Sequence, residues 1–183
     1  MKVSVLIPTF RRAIYLSACL EALLKQQRLP EEIILISVEE DKETHVTIEK
    51  VKKDNVRGDL IKELTISKPD IVYAENQGLK AAIGEIICLI DDDAIAPESW
   101  ITNISKHYES NALLGALGGP VVPLINNKPV IEYTQVFSRL TWIGRRITNT
   151  TKIPLKLQEV DLLRGANMSF RRNLIGSLDE NLL

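Results

Sequence analysis

Three consecutive aspartates, Asp91, Asp92 and Asp93, directly follow the apolar stretch IICLI at 86–90. Like charges this close repel one another, and more strongly as they lose water. A hard divalent cation such as Mg²⁺ or Mn²⁺ relieves the repulsion, because it takes one or two carboxylates together with the phosphate oxygens of a ligand. The alternative is a solvated turn that caps the next helix, since Asp is common at both positions.

The segments around the aspartates predict a mainly parallel α/β sheet. Short β-branched or continuously apolar runs indicate buried strands, and runs with helical spacing lie between them. The strands are expected at 3–7, 33–36, 64–66, 86–90 and 115–124, the last with a glycine pair inside it. The helices are expected at about 14–27, 44–53, 74–83 and from Pro97 through Tyr108. Regular alternation of strand and helix is typical of an α/β fold.

Polar residues follow three of these strands, at 8–12, 37–41 and 91–93. In a parallel sheet the carboxyl ends of the strands meet at one edge, and ligands bind there. We therefore expect the three loops to converge on one site, which favours the cation site over the capping turn.

Composition indicates one globular domain. The chain has 183 residues, of which 45% are hydrophobic and 26% charged, and its net charge of −1 gives no sign of nucleic-acid binding. No apolar run reaches the roughly 18 residues of a membrane span, so a cytoplasmic protein is the default expectation. Cys19 and Cys88 lie in apolar segments and are expected to be buried, reduced thiols.

Other α/β proteins also place aspartates near a metal. Haloacid-dehalogenase-type phosphatases and receiver domains carry them at the end of the first strand, where this chain has PTFRR. Sugar nucleotidyltransferases carry a glycine-rich loop after that strand, which is missing here, but they share the general architecture. A nucleotidyltransferase is therefore kept as an alternative enzyme.

Four segments resemble one family in its own order. VSVLIPTFRR at 3–12, ENQGLKAAIGEIICLIDDDAIAPESW at 75–100, GGPVVP at 118–123 and LRGANMSFRR at 163–172 are similar to family 2 glycosyltransferases of GT-A fold. The resemblance implies an inverting hexosyltransferase of the kind used in cell-envelope polysaccharide biosynthesis. It would move a sugar from a nucleoside-diphosphate sugar, with a UDP-sugar favoured, to a saccharide or lipid-linked acceptor.

The same resemblance implies roles for the first loop and the aspartates. Pro8, Thr9 and Arg11 would lie near the nucleoside, and Arg12 would be an exposed helix start. Asp92 would face the ribose, while Asp93, assisted by Asp91, would bind Mn²⁺ or Mg²⁺.

The second strand departs from the family pattern. Ser37 and Val38 stand where the family carries acidic residues, so Glu39 or Asp41 is expected to contact the nucleobase, and the identity of the base is left open. A charged turn is the alternative for these two. Asn76, in the helix before the metal strand, is expected among the cofactor-binding residues, and Gly119, Gly165 and Asn167 are expected on the acceptor side.

The resemblance also implies an incomplete acceptor half. Residues 1–125 would form the nucleotide-sugar half, and 126–183 only the start of the acceptor half. The family's catalytic base would lie beyond Leu183, with Asp179 and Glu180 as the candidates within the chain. A catalytically inactive nucleotide-binding module is the alternative from a different class.

A basic, partly apolar segment at 137–156, FSRLTWIGRRITNTTKIPLK, has two interpretations. It is an ordinary surface helix and loop, or it is a flap that contacts anionic lipid or a lipid-linked acceptor. The second interpretation adds peripheral contact with a membrane to the expected cytoplasmic location.

Overall fold

The protein is described here from a computed structural model covering residues 1–126 and 128–181. Four helices lie in the first 110 residues: α1 (Ala13–Leu24), α2 (Lys42–Asp54), α3 (Ile71–Ala81) and α4 (Trp100–Ser110). Short 3₁₀ turns occupy Gly58–Leu60 and Arg172–Leu174. Within the described ranges, none of the helices combines the length and hydropathy that crossing a membrane requires.

Six strands form the central sheet, in the spatial order β3-β2-β1-β4-β12-β5. Their bounds are β1 Val3–Pro8, β2 Glu32–Val38, β3 Ile61–Ile66, β4 Ile86–Ile90, β5 Ala116–Gly118 and β12 Asn167–Arg171. The first four are parallel neighbours, while β12 pairs antiparallel with both β4 and β5. The predicted α/β fold with a mainly parallel sheet is confirmed.

The sheet is covered on both faces. On one face, alternate strand residues such as Val5 and Cys88 pack against the apolar sides of α1, α2 and α4. On the other, Leu6 and Ile87 pack with α3 and with Phe170 of β12. Burial on both faces explains why the strands read as continuous apolar runs rather than alternating ones. Cys19 and Cys88 are buried and unbridged, as predicted.

Short strands fill the segment between β5 and β12. They are β6 (Leu124–Ile125), β7 (Lys128–Pro129), β8 (Tyr133–Thr134), β9 (Ser138–Leu140), β10 (Arg146–Thr148) and β11 (Ile153–Pro154). They form three separate two-stranded pairs, β6 with β7, β8 with β11 and β9 with β10.

Two predictions about this segment are wrong. The strand expected at 115–124 ends at Gly118 and leaves Gly119 outside it. One interpretation of segment 137–156 is a surface helix and loop. The segment contains instead a β-hairpin, in which β9 and β10 pair as antiparallel strands. Polar and apolar residues alternate at 146–148, Arg-Ile-Thr, which fits a strand period of two, whereas 138–140, Ser-Arg-Leu, do not alternate.

Candidate functional site

The carboxyl ends of β1 and β4 meet, as predicted. The Thr9 hydroxyl donates to the carboxylate of Asp92 at 2.8 Å, and both residues are buried. The Thr9 backbone N–H donates to the carbonyl of Ile36 on β2. Three neighbouring strand ends are therefore linked at one edge of the sheet, which fixes the position of the aspartates.

Arg12 contacts the aspartates directly, which corrects its expected role as a mere exposed helix start. One guanidinium nitrogen lies 3.2 Å from an Asp92 oxygen and 2.9 Å from an Asp93 oxygen. The Asp92 side chain is only 5% exposed, whereas that of Asp93 is 46% exposed. Arg12 precedes the first residue of α1, so the start of this helix supplies a positive charge to the aspartates.

Negative charge at this edge is only partly compensated. Burial, and then the charges of Asp93 and Asp92, raise the pKa of Asp91. Burial also raises the pKa of Asp92, although hydrogen bonds from Thr9 and Arg12 act against it. The hydrogen bond with Asp92 and the charges of Asp92 and Asp93 raise the pKa of Arg12. Asp91 therefore lies in a negative field that a further cation would relieve.

A cavity of about 380 Å³ opens beside these residues. Pro8, Thr9, Asp91, Asp92 and Gly165 line it, all of which the sequence analysis placed in the site. One wall is apolar, with contributions from β2, β3 and β4. These wall residues are Ile36, Val38, Ile66, Leu89 and Ile90. The volume lies within the range of small-ligand sites, and an apolar wall beside a few polar groups is typical of them.

In the loop after β2, neither of the two residues expected to contact the nucleobase lines the cavity in the described part of the chain. Asp41 is buried as the N-cap of α2, where its carboxylate accepts from Thr44 and from the Arg11 backbone N–H. Although burial opposes it, these hydrogen bonds hold the pKa of Asp41 below its ordinary value. Asp41 is a structural cap, and Glu39 does not line the cavity in the described part of the chain.

Arg11 also differs from its expected place near the nucleoside. Its guanidinium pairs with Glu40 at 3.2 Å and lies over the ring of Phe10. Its backbone has a positive φ of 55°, which is uncommon for a residue other than glycine. This conformation separates Arg11 from Arg12, and of the two only Arg12 lines the cavity.

The residues expected on the acceptor side are divided. Gly165 lines the cavity, and a Cβ placed there would meet open space. The Asn167 side chain instead accepts from the Trp100 indole N–H at 2.9 Å and donates to the Pro120 carbonyl. A Cβ at Gly119 would lie 2.8 Å from the Asn167 side-chain nitrogen, so this glycine permits that packing. Asn167 and Gly119 therefore have structural roles here.

Asn76 contacts the carboxyl-terminal segment rather than the cavity. Its side-chain nitrogen donates to the Leu178 carbonyl and to the Glu180 carboxylate, and its oxygen accepts from the Leu178 N–H. The carboxylate of Asp179 accepts from the backbone and side chain of Asn181. Both candidate bases thus have partners within the protein, and neither lines the cavity.

The family model described as Glycosyl transferase family 2 matches residues 4–178 of this sequence. The match covers the loop after β1, the three aspartates and the β12 segment. The chain belongs to this family.

Curated relatives of the family 2 chain are glycosyltransferases. It is 28% identical over 188 residues to a glucosyl-dolichyl phosphate glucuronosyltransferase of Haloferax volcanii, covering 99% of this chain and 57% of the relative. It is 28% identical over 190 residues to a poly(ribitol-phosphate) beta-glucosyltransferase of Bacillus spizizenii, covering 98% of this chain and 28% of the relative. The chain therefore spans between about a quarter and three fifths of the curated relatives it matches.

Solved structures share the GT-A fold. A mannosyltransferase from Pyrobaculum calidifontis, in complex with GDP-Man and Mn²⁺, has a TM-score of 0.68 at 15% identity; the match covers 98% of this chain and 48% of that protein. S. aureus TarS has a TM-score of 0.69 at 18% identity; the match covers all of this chain and 51% of that protein. At such identities the likeness establishes the fold of the family 2 chain.

Two charged residues near the cavity were not predicted. Glu75 of α3 lines the cavity, and burial followed by the charge of Asp91 raises its pKa. Arg164, next to Gly165, is exposed, and its positive charge lowers the pKa of Asp91. Glu75 lies in the ENQGLKAAIGEIICLIDDDAIAPESW segment and Arg164 in LRGANMSFRR. Local spacing within these segments does not show which side chains face the aspartates.

The donor atoms fit a divalent metal of the kind the family implies. Asp91 and Asp93 offer carboxylate oxygens. Among the described residues, no cluster of three or more His, Cys, Asp or Glu side chains could hold a metal ion with protein ligands alone. Mg²⁺ and Mn²⁺ commonly complete their coordination with ligand phosphates and water. Asp91 lines the cavity, whereas Asp93 is partly exposed and is paired with Arg12. Two carboxylates that leave room for further ligands match that need.

Proposed function

We propose that this chain binds a nucleoside-diphosphate sugar as the donor-binding part of an inverting family 2 glycosyltransferase. The observation that carries the proposal is the buried Thr9–Asp92 hydrogen bond, which holds the aspartates at the edge of the cavity. Residues 1–125 are assigned to donor binding and 126–183 to the start of the acceptor side.

Each aspartate has a distinct part in this proposal. Asp92, buried and bonded to Thr9 and Arg12, positions the loop and turns toward the ribose. Asp91 and Asp93 would hold Mg²⁺ or Mn²⁺ together with diphosphate oxygens. A metal held by these carboxylates would supply Lewis-acid stabilisation of the leaving diphosphate.

Two arginines support the same diphosphate. Arg12 forms ion pairs with Asp92 and Asp93, and the positive charge of Arg164 lowers the pKa of Asp91. Guanidinium groups bind phosphate oxygens through paired N–H donors. We infer that Arg12 and Arg164 position the diphosphate and favour its departure.

Inversion requires one direct displacement. The acceptor oxygen bonds to the anomeric carbon, the bond to the diphosphate oxygen breaks with its electron pair, and a base takes the hydroxyl proton. Asp179 and Glu180 are occupied by Asn181 and Asn76, so we assign the base to neither.

The acceptor class is inferred from relatives. Two of them are named for dolichyl phosphate-linked substrates, and one for poly(ribitol phosphate). We propose a saccharide or lipid-linked acceptor in cell-envelope synthesis, and action in the cytoplasm at the inner face of the membrane. A UDP-sugar is the favoured donor; the GDP-Man bound by one structural neighbour makes GDP the necessary comparison.

Calorimetry on the 183-residue chain tests donor binding. UDP and GDP are titrated with Mn²⁺ or with EDTA, using the parent, Asp93→Asn and the control Asp54→Asn on the exposed end of α2. Asp93→Asn should abolish the Mn²⁺-dependent gain in affinity, a loss at least as large as the roughly tenfold to hundredfold cost of removing an outer-sphere partner. The control should bind like the parent.

Two outcomes would overturn the assignment. Equal affinity with Mn²⁺ and EDTA contradicts the metal site, and no binding of either nucleotide contradicts donor binding. Pyrophosphate release from a nucleoside triphosphate and a sugar phosphate would favour the nucleotidyltransferase instead. Donor binding without transfer by any longer form of the protein would favour the inactive module.

A further inference from the structure

The β9–β10 hairpin projects apolar side chains into solvent at its turn. Its register pairs Arg146 with Leu140, Ile147 with Arg139 and Thr148 with Ser138. The four residues Thr141–Gly144 form the turn, closed by a hydrogen bond from the Gly144 N–H to the Thr141 carbonyl. Gly144 has a φ of 77°, the left-handed conformation that lets a turn of this kind join the second strand.

The middle of this turn carries Trp142 and Ile143. Their exposed fractions are 97% and 66%, although polar residues or glycine usually occupy such positions. The turn is fixed by the Gly144 bond and by the Arg145 N–H, which donates to the Thr141 hydroxyl. An ordered turn therefore presents an indole and a branched alkyl group to the solvent.

Three arginines surround these two side chains. Arg145 adjoins the turn, and Arg139 and Arg146 lie on the two paired strands. Directly paired residues share a face of the hairpin, so Arg146 lies beside Leu140 on one face and Arg139 beside Ile147 on the other. None of the three is ion-paired within residues 1–126 and 128–181. The acid bonded to this hairpin, Asp161, accepts from the Leu140 N–H.

We propose that the hairpin tip, residues 139–147, binds the surface of an anionic lipid bilayer. Trp142 and Ile143 would enter the headgroup region, where tryptophan is favoured because its ring is apolar and its N–H is polar. Arg139, Arg145 and Arg146 would bind lipid phosphates. This inference concerns a surface separate from the donor cavity and does not depend on nucleotide binding.

Charge distinguishes this occupant from a second copy of the chain. Two tips packed together would bring six arginines into one contact, whereas an anionic bilayer offers complementary charge across its whole surface. The tip also carries four exposed apolar side chains, Leu140, Trp142, Ile143 and Ile147. That number suits shallow insertion better than the area of about 800 Å² per partner that a stable protein interface needs.

Vesicle co-sedimentation tests the proposal with the whole 183-residue chain and no nucleotide. Vesicles of phosphatidylcholine alone are compared with vesicles containing about 30% phosphatidylglycerol, at low and high salt. The parent should sediment with the anionic vesicles at low salt. Arg145→Glu/Arg146→Glu should lower the partition coefficient by at least about twentyfold, since each basic residue near such a surface contributes about fivefold.

Matched controls distinguish binding by the hairpin tip from the effects of net charge and of exposed apolar residues elsewhere on the protein. Lys50→Glu/Lys53→Glu makes the same charge change on the exposed side of α2 and should reduce binding far less. Trp142→Ser should weaken binding on the order of tenfold, whereas Leu113→Ser, which removes another highly exposed apolar residue, should not.

Fluorescence gives a second, independent readout. In the Trp100→Phe variant the remaining tryptophan is Trp142, and its emission should shift to shorter wavelength when anionic vesicles are added. No sedimentation of the parent, no spectral shift, or equal losses from the α2 control would overturn the proposal. Concentration-dependent dimers that disappear in Trp142→Ser would identify a second copy as the occupant and also overturn it.

Discussion

Residues 1–118 form most of the central sheet and its helices, whereas segment 119–160 forms separate two-stranded pairs. The two regions are buried to very different extents. In the first region, strands and helices contribute nearly all of the apolar core. In the second, Phe137 and Ser138 are the buried residues among those the structure describes. Apart from Gly165, the residues that line the candidate donor site lie in the well-packed region, where backbone positions are fixed by two apolar layers. The less buried segment is held chiefly by short strand pairs and has surface left for a partner.

The largest expected difference between the two regions is the loss of unfolding free energy when an isoleucine side chain is truncated. Ile87 is 0% exposed on β4, and Ile147 is 39% exposed on β10. Ile87→Ala should lower the free energy of unfolding by about 2–5 kcal/mol through lost burial and a cavity. Ile147→Ala should change it by less than about 0.5 kcal/mol. Urea denaturation of both variants measures this, and similar losses would contradict the contrast.

An intermediate effect is expected from adding one methyl group. A Cβ at Gly84 would lie 2.5 Å from the Ser4 backbone nitrogen and 2.9 Å from the Ile86 carbonyl oxygen, whereas one at Gly176 would meet nothing within 4 Å. Gly84→Ala should destabilise by about 1–3 kcal/mol, since backbone must move. Gly176→Ala should be neutral or stabilising by up to about 1 kcal/mol, because it restricts the unfolded chain.

Thermal unfolding of the two alanine variants, compared with the parent, measures this second contrast. If Gly84→Ala were as stable as the parent, the backbone before β4 could move away from Ser4 of β1 at little cost, and the prediction would be wrong.

The smallest expected effect is a pH dependence within the packed region. Burial opposes protonation of His45, but the Glu63 carboxylate 2.6 Å from its Nδ1 outweighs this and raises the pKa of His45. The stabilisation is therefore complete below the ordinary histidine pKa of about 6.5 and is lost as pH rises through the higher folded-state value. His45→Gln should abolish this component.

Unfolding free energies of the parent, His45→Gln and the exposed control His107→Gln, measured between about pH 6 and pH 8, check the direction. The advantage of the parent over His45→Gln should shrink with rising pH. The pairing would be contradicted if the difference in unfolding free energy between the parent and His45→Gln grew with rising pH. It would also be contradicted if His107→Gln lost the same pH-dependent component.

Local sequence predicted the packed region well because each of its elements carries its own signal. The apolar runs at 3–7 and 86–90 fall on β1 and β4, and the helical spacing after Ile14 falls on α1. Segment 119–160 was harder. Its strands are two or three residues long, too short to establish a period of two in the sequence.

The sequence by itself determined the fold class, the family and the edge of the sheet where the aspartates gather, because these depend on burial patterns and on motifs within one stretch of chain. Only the tertiary structure decided which side chains face one another. Arg12, not Arg11, contacts the aspartates, and the positive φ of Arg11 separates the directions of the two side chains. The tertiary structure also engaged Asp41, Asn76 and Asn167 in hydrogen bonds within the protein. Of these partners, Leu178 and Trp100 are 102 and 67 residues away from Asn76 and Asn167, and a separation of that size leaves no trace in local spacing.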